Sequence, residues 1–316
     1  MNHDVSYGSP TAVEQAIKAA ANQAFRENPS TSVDERIRLE YFRRFLSRVF
    51  SQAGNQEWVL KGGTSMLARI PSARATMDID LFNAEQSLDN ALKKLRTLAS
   101  IDLSDFFRFE YMGCTKTLKG SNNEYTNGYR VKFDVYIGAQ KKQGIHVDLV
   151  TREAITGEVG IVTPSNALHL PRLKSYPYRL YPVVDHIADK VCATIALYSG
   201  KPSSREKDLV DLVIIANTYD IDAVLLRNAI VNEIMRRDLN LPSAFTVPSS
   251  WGGGYKTLVQ DLPDFDGYAD IDDALHLMGD FLNPLLGRTP SNIVMEHLIW
   301  DHSTQHWVIG TDIHDQ

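Results

Sequence analysis

Hydrophobic residues at helical spacing dominate the N-terminal part of the chain and predict two helices. The first spans Thr11 to Arg26, where Val13 and Ile17 belong to an apolar stripe. The second begins after Ser32, because a serine followed by Asp34 and Glu35 is typical of a helix start, and it continues to about residue 53. The apolar face of this second helix consists of Ile37, Tyr41, Phe45 and Val49.

Five arginines lie mostly on the other sides of the second helix: Arg36, Arg38, Arg43, Arg44 and Arg48. Charged residues outside an apolar stripe usually face water, so a solvated surface is the simpler interpretation. The alternative is a surface that contacts phosphate groups. Both interpretations place the arginines on the outside of the protein.

Alternating hydrophobic and polar residues after position 105 predict three strands. These strands are Phe106 to Met112, Tyr129 to Ile137 and Gly144 to Thr151. Polar residues at 122–124 and 139–143 predict hairpin loops. A helix from Ser87 to Ala99 precedes the strands and carries three basic residues, Lys93, Lys94 and Arg96.

Beyond Pro182 the hydrophobic pattern becomes helical. Helices are expected at 183–197, 209–217, 221–237, 268–282 and 291–302, with a Pro- and Gly-rich connection or substrate loop at 238–264. The pattern therefore predicts an α/β (α+β) domain over residues 1–175, with a mixed sheet and flanking helices, followed by a mainly helical domain over residues 176–316.

Composition narrows the class of protein. The chain has 316 residues and a net charge of -6, which argues against a protein that coats DNA nonspecifically but leaves room for a local basic groove. The two cysteines, Cys114 and Cys192, have no metal-ligand spacing and fit a reducing cytoplasm. No secretion signal is visible, and no apolar run approaches the length of a membrane span.

The stretch from Val59 to Phe82 carries the candidate chemistry. A short apolar strand stops at Gly62-Gly63, which predicts a tight turn where backbone N–H groups can approach an anion closely. Thr64 or Ser65 is expected to cap a short helix that runs through Arg69.

A second strand follows, in which alternation places Asp78 and Asp80 on one face. Neighbouring carboxylates repel each other unless a cation lies between them, and hard oxygen ligands suit Mg²⁺. A glycine turn or a pair of surface aspartates alone would indicate nothing more than a turn or a solvated strand. Together, at this spacing, they predict a phosphate cradle beside a metal site.

With Lys61-Gly62-Gly63-Thr64-Ser65 followed by Met77-Asp78-Ile79-Asp80-Leu81, the sequence resembles the DNA polymerase β-like nucleotidyltransferase superfamily. More narrowly, it is similar to the AbiEii toxin family, which includes the mycobacterial MenT toxins. The resemblance implies the nucleotidyltransferase fold and the toxin of a cytoplasmic toxin–antitoxin pair. It also implies a cognate antitoxin and transfer of nucleotides from an NTP, with Mg²⁺ or Mn²⁺, to the 3′ end of tRNA.

The resemblance also suggests site residues. Lys61, Gly62, Gly63, Thr64 and Ser65 would hold the triphosphate, and Asp78 and Asp80 would hold metal. Nucleotidyl transfer usually needs a third acid. Asp148, on a later strand, is favoured, and Asp134 on the preceding strand is its rival.

Lys190 is the second signal, because a lysine on an apolar helix needs an anionic partner such as a triphosphate. The segment around Lys190, together with Arg205 to Leu212, resembles later motifs of the same family. Asp208 and Asp211 are three residues apart and share a helix face, so either could pair with Lys190 or assist proton transfer. The resemblance ranks Asp211 above Asp208 as a catalytic residue.

Two other functions remain open from the sequence. The same arrangement of residues occurs in enzymes that transfer AMP or another nucleotide to a small molecule or a protein, because the fold alone does not determine the acceptor. A catalytically silent binding module is the other alternative, although the intact pair of Asp78 and Asp80 argues against it.

Overall fold

The chain divides into two compact units. The first comprises Met1–Gly120, Thr126–Glu153 and Val159–Leu180, and the second is mainly Tyr181–Gln316 with Ala154–Glu158. The structure is a computed structural model. It describes residues 6–52, 54, 56–70, 73, 76–116, 128–151, 155–164, 167–198, 200–260, 262, 265–287 and 295–310. The loop predicted at 122–124 lies outside these residues.

A seven-stranded mixed sheet forms the centre of the first unit. Its strands are β1 (Trp58–Lys61), β2 (Ile79–Asn83), β3 (Phe107–Thr115), β4 (Gly128–Ile137), β5 (Gln140–Thr151), β6 (Gly160–Val162) and β7 (Tyr178–Leu180). They are arranged in the order β3-β4-β5-β2-β1-β7-β6, with β2 parallel to β5 and β1 parallel to β7. This mixed sheet with flanking helices confirms the predicted fold class. The predicted 139–143 loop is shorter than expected, because β5 already begins at Gln140.

The described residues of the first unit form four α-helices: α1 (Pro10–Glu27), α2 (Val33–Val49), α3 (Gly62–Arg69) and α4 (Leu88–Ala99). Ser9, Ser32 and Ser87 cap α1, α2 and α4 with their hydroxyl groups. Phe45 of α2 packs against Phe109 and Phe133 of the sheet, with ring centroids 5.3 and 5.0 Å apart. Residues of α1, α2 and α4 thus share one hydrophobic core with β2, β4 and β5.

The expected exposure of the α2 arginines is wrong for three of them. Arg43, Arg44 and Arg48 are buried. Arg43 and Arg44 pair with the fully buried Glu40 of the same helix. A guanidinium can be buried when a carboxylate compensates its charge, as Glu40 does for Arg43, and Arg44 and Arg48 also donate to backbone carbonyls.

Arg48 has the most complete set of hydrogen-bond acceptors among these buried arginines. Its guanidinium donates to both carboxylate oxygens of Asp105, at 2.6 and 3.0 Å, and to the carbonyl oxygen of Phe107 at 2.9 Å. Arg36 and Arg38 are half-buried and donate to backbone carbonyls. Arg48 therefore joins α2 to β3, and Arg44 joins α2 to residues 174–175. The buried arginines do not form a surface for nucleic acid.

The second unit contains five helices in its described part and a small antiparallel sheet. The helices are α5 (Val183–Ile195), α6 (Glu206–Ala216), α7 (Ala223–Arg236), α8 (Gly253–Val259) and α9 (Ile271–Leu282). The strands are β8 (Ile221–Asp222), β9 (Leu298–Asp301) and β10 (His306–Ile309). Helix α8 lies within the segment that was predicted to be a connection. Across the part of the chain that the structure describes, no helix combines the length and the apolar character needed to cross a membrane.

The helix predicted at 291–302 is wrong over its described residues. A single 3₁₀ turn at Met295–His297 leads directly into β9, which pairs with β10. Trp300 of β9 is fully buried, and its ring lies 4.8 Å from that of Phe281 and 5.7 Å from that of Trp307. The indole nitrogen of Trp300 donates to the carbonyl oxygen of Ala216 at 2.8 Å. Aromatic packing across a hairpin thus prevails over the helical spacing.

Candidate active site

Four charged residues form a row across the central strands of the large sheet. Lys61 on β1 pairs in register with Asp80 on β2, Asp80 pairs with Asp148 on β5, and Asp148 pairs with Arg130 on β4. Residues in direct register point to the same face of a sheet. The neighbouring Ile79 belongs to the helix-covered core, so the row lies on the opposite face.

Asp78 lies immediately before β2 rather than on it, which corrects the expected strand position. Its backbone carbonyl accepts hydrogen bonds from the hydroxyl groups of Thr64, at 2.9 Å, and Thr76, at 3.3 Å. These bonds fix the bend before the strand. The carboxylate of Asp78 therefore approaches the row of charges, where it accepts a hydrogen bond from Arg130.

Gly62 and Gly63 hold the chain where larger residues would not fit. Gly62 has a φ of +60°, and a Cβ on it would lie only 1.8 Å from Oδ2 of Asp80. A Cβ on Gly63 would lie 2.8 Å from the hydroxyl oxygen of Thr76. The predicted glycine turn therefore brings the backbone directly against a candidate metal ligand.

Helix α3 begins at Gly62, so the expected cap at Thr64 or Ser65 is wrong. Both residues lie inside the helix, where the Thr64 hydroxyl donates to Asp78 and the Ser65 hydroxyl accepts from Arg69 at 3.1 Å. Lys61 takes the N-cap position without a side-chain capping bond. The first N–H groups of a helix have no acceptor within it, so the start of α3 is suited to a phosphate.

Arg130 is a residue of this site that the sequence did not reveal. Its guanidinium donates to Oδ1 of Asp78 at 2.7 Å and to Oδ2 of Asp148 at 3.3 Å. Burial lowers the pKa of this guanidinium, but the carboxylates of Asp78, Asp148 and Asp80 outweigh burial and raise its pKa overall. A single arginine in a strand has no distinctive spacing, so only the register of β4 with β5 could have indicated it.

Asp134, the rival third ligand, lies elsewhere on the sheet. It is buried, forms an ion pair with Lys141 at 2.5 Å and faces Glu110 of the edge strand β3 in register. The structure thus brings Asp148, and not Asp134, next to Asp80.

The donor set of Asp78, Asp80 and Asp148 fits a divalent metal ion. All three offer hard carboxylate oxygens, which suit Mg²⁺ or Mn²⁺. Arg130 already places positive charge against two of them. The oxygens of these three carboxylates do not all lie within 4.8 Å of one another. Among the described residues, only Asp220, Asp301 and His302 present three ligand atoms that close together. These three residues, of which only Asp220 is exposed, belong to the second unit, where they hydrogen-bond within a turn and to each other.

The residues of the second predicted cluster meet inside the second unit. The ammonium group of Lys190 on α5 lies 2.5 Å from Oδ2 of Asp211 and 3.3 Å from Oδ1 of Asp208, both on α6. All three residues are buried. Asp208 also pairs with Arg205, so cations and carboxylates alternate through the cluster. Burial lowers the pKa of Arg205, but Asp208 outweighs burial and the pKa is raised overall.

Comparisons with known proteins identify the family of the chain. The profile of a family described as the nucleotidyl transferase AbiEii toxin of type IV toxin–antitoxin systems matches residues 44–281. The match spans most of the chain, and the chain belongs to this family of nucleotidyltransferase toxins. Membership implies an antitoxin as a partner. A comparison with curated proteins gave no match.

Two solved structures from Helicobacter pylori are similar to the chain, each at 16% sequence identity. One is the crystal structure of JHP933, which covers 65% of this chain and 80% of its own, with a TM-score of 0.38. The other is described as a candidate nucleotidyltransferase and covers 79% of this chain and 96% of its own, with a TM-score of 0.40. Similarities at this level add no argument to the family assignment.

Proposed function

We propose that this toxin transfers nucleotides from an NTP to the 3′ end of tRNA in the cytoplasm, in a reaction that depends on Mg²⁺ or Mn²⁺. Nucleotidyl transfer is the activity of the family. The tRNA acceptor follows from the resemblance to the MenT toxins. The observation that carries the proposal is the register of Asp80 with Asp148, beside the glycine turn at the start of α3.

Each part of the site has a task in this reaction. Asp78, Asp80 and Asp148 would hold the metal, which when bound neutralises charge on the attacking and leaving oxygens. The start of α3, from Lys61 to Ser65, would bind the triphosphate through backbone N–H groups. Positioning and electrostatic stabilisation then supply most of the rate enhancement, as in phosphoryl transfer generally.

The second cluster contributes charge in this proposal. Lys190 would supply positive charge to the nucleotide, and Asp211, before Asp208, is the carboxylate proposed to assist proton transfer. The close pairing of Lys190 with both carboxylates supports a shared task, because the position of each group depends on the others.

The decisive experiment combines the purified chain with Mg²⁺, total tRNA and each labelled NTP in turn, followed by gel analysis. We expect label on tRNA, and we expect Asp80→Asn to lower the rate by about a hundredfold or more. Asp134→Asn is the matched control, because it removes a carboxylate from the same sheet away from Asp80 and should retain transfer. Circular dichroism checks the folding of both variants.

The other outcomes select the other functions. Label on a protein or a small molecule, with unlabelled tRNA, would establish the alternative acceptor. No transfer with any NTP would indicate a silent binding module. A folded Asp80→Asn variant with full activity would contradict the metal assignment.

A further inference from the structure

Arg130 bridges two of the three candidate metal ligands. It comes from β4 and reaches Asp78 before β2 and Asp148 on β5, so one guanidinium connects carboxylates from two different parts of the chain. A salt bridge in this place has a consequence for any ion that binds there, because the same carboxylates serve both cations.

The chemistry of the guanidinium makes this competition unavoidable. Arginine has five donors and no acceptor, and it does not lose its proton at any pH a protein tolerates. Its positive charge can therefore leave the carboxylates only if the side chain moves. The side chain of Arg130 is 30% exposed, so water reaches it and it has room to turn outward. A divalent ion on Asp78 and Asp148 would lie within a few ångströms of the guanidinium and repel it.

We propose that Arg130 is a displaceable counter-ion of the metal site, and that it sets the metal concentration at which the site fills. It neutralises Asp78 and Asp148 until a divalent ion takes over these carboxylates. The displaced guanidinium stays tethered to β4 beside the site, where it is suited to bind a phosphate of the incoming nucleotide. This inference rests on the proposed function, since it requires these carboxylates to bind the metal.

The sign of one measurement separates this role from a purely structural one. An arginine that only orients the carboxylates would leave the metal more weakly bound when it is removed. An arginine that competes with the metal would leave the metal more tightly bound. Metal affinity therefore decides between the two roles without any measurement of catalysis.

The test measures Mn²⁺ binding to the full chain without nucleotide, and the electron paramagnetic resonance signal of free Mn²⁺ reports how much of the ion is bound. We expect Arg130→Gln to bind Mn²⁺ about tenfold more tightly than the wild type, because one nearby positive charge is removed. Lys132→Gln is the matched control. It removes one positive charge from an exposed position two residues along the same strand, and we expect less than about a twofold change. Asp80→Asn should abolish the binding and so locate the ion.

A second measurement uses the wild type, so it can be made even if Arg130→Gln fails to fold. In protein with ¹⁵N-labelled arginine side chains, the Nε–H signal of Arg130, assigned with Arg130→Lys, should shift and exchange faster with water when Mg²⁺ is added. A signal that is unchanged at saturating Mg²⁺ would overturn the displacement.

The outcomes also separate this inference from the proposed function. If Asp80→Asn abolishes Mn²⁺ binding but Arg130→Gln leaves it equal or weaker, the metal site stands and the role of Arg130 is refuted. Equal tightening by Lys132→Gln would also refute it, because general electrostatics would then explain the effect. If neither the wild type nor any variant binds Mn²⁺, both the proposed metal site and the proposed role of Arg130 are refuted.

Discussion

Replacing Lys190 with methionine should destabilise the second unit strongly. Lys190 is buried, and its ammonium group compensates Asp208 and Asp211, which are also buried. Methionine fills a similar volume but leaves the carboxylate of Asp211 without this cation. Removing one partner of a buried ion pair costs about 3–5 kcal/mol, because the other charge stays in a poorly solvated place.

The expected size of the effect makes it easy to measure. A loss of that size lowers the midpoint of thermal unfolding by roughly 10 °C in a unit of this length. Tryptophan fluorescence reports on the right part of the chain, because Trp251, Trp300 and Trp307 lie in the second unit. Lys256→Met is the matched control, since Lys256 is exposed on α8 and its loss should change the midpoint little.

A double variant tests the reasoning further. Lys190→Met combined with Asp211→Asn removes the cation and one of its two carboxylates together. The combined free-energy cost should therefore be smaller than the sum of the two single costs, by about 1–3 kcal/mol. Additive costs, or a Lys190→Met midpoint equal to that of the Lys256→Met control, would refute the idea of a coupled buried network. NTP use is then measured well below the midpoint, so that a catalytic loss is separate from unfolding.

Two further predictions concern the glycine turn and the cysteines. Gly62→Ala should abolish transfer and weaken Mn²⁺ binding, because the new Cβ would displace Asp80. Gly54→Ala is the control: Gly54 has a similar strained φ of +81°, but its Cβ would have no atom within 4 Å, so this variant should remain active. Equal activity of the two variants would contradict the prediction. Burial raises the pKa of Cys192 to about 12, so at pH 8 its thiol stays protonated, and a thiol reagent should label only the exposed Cys114 until denaturant is added. Rapid labelling of both cysteines in the folded protein would show that Cys192 is accessible.

The sequence predicted most of the first unit, because its elements have long and regular patterns. Helix α2 and strands β4 and β5 lie close to their expected positions. The buried state of Arg48 was not predictable in the same way. Its carboxylate partner, Asp105, is 57 residues away along the chain, and helical spacing contains no information about such a partner. A charged residue outside the apolar stripe was therefore placed in water by default.

The site shows the same limit at a finer scale. Asp78, Asp80 and the glycine turn are close in sequence, so a local motif was enough to select them. The proximity of Asp148 to Asp80 depends on β5 being the parallel neighbour of β2, which is a matter of strand order and not of spacing. Predicting Arg130 would also have required the pairing of β4 with β5, because this pairing brings Arg130 to the site.

The arrangement of charges explains how such a site can exist in a stable sheet. Lys61 and Arg130 stand at the two ends of the row, and Asp80 and Asp148 stand between them. Each carboxylate thus has one cation as a register neighbour, which offsets the repulsion between the two. With Asp78 added, three negative charges face two positive ones, so the cluster has a formal charge of −1. The flanking cations make the fold tolerate the carboxylates, and the remaining negative charge still favours a bound cation.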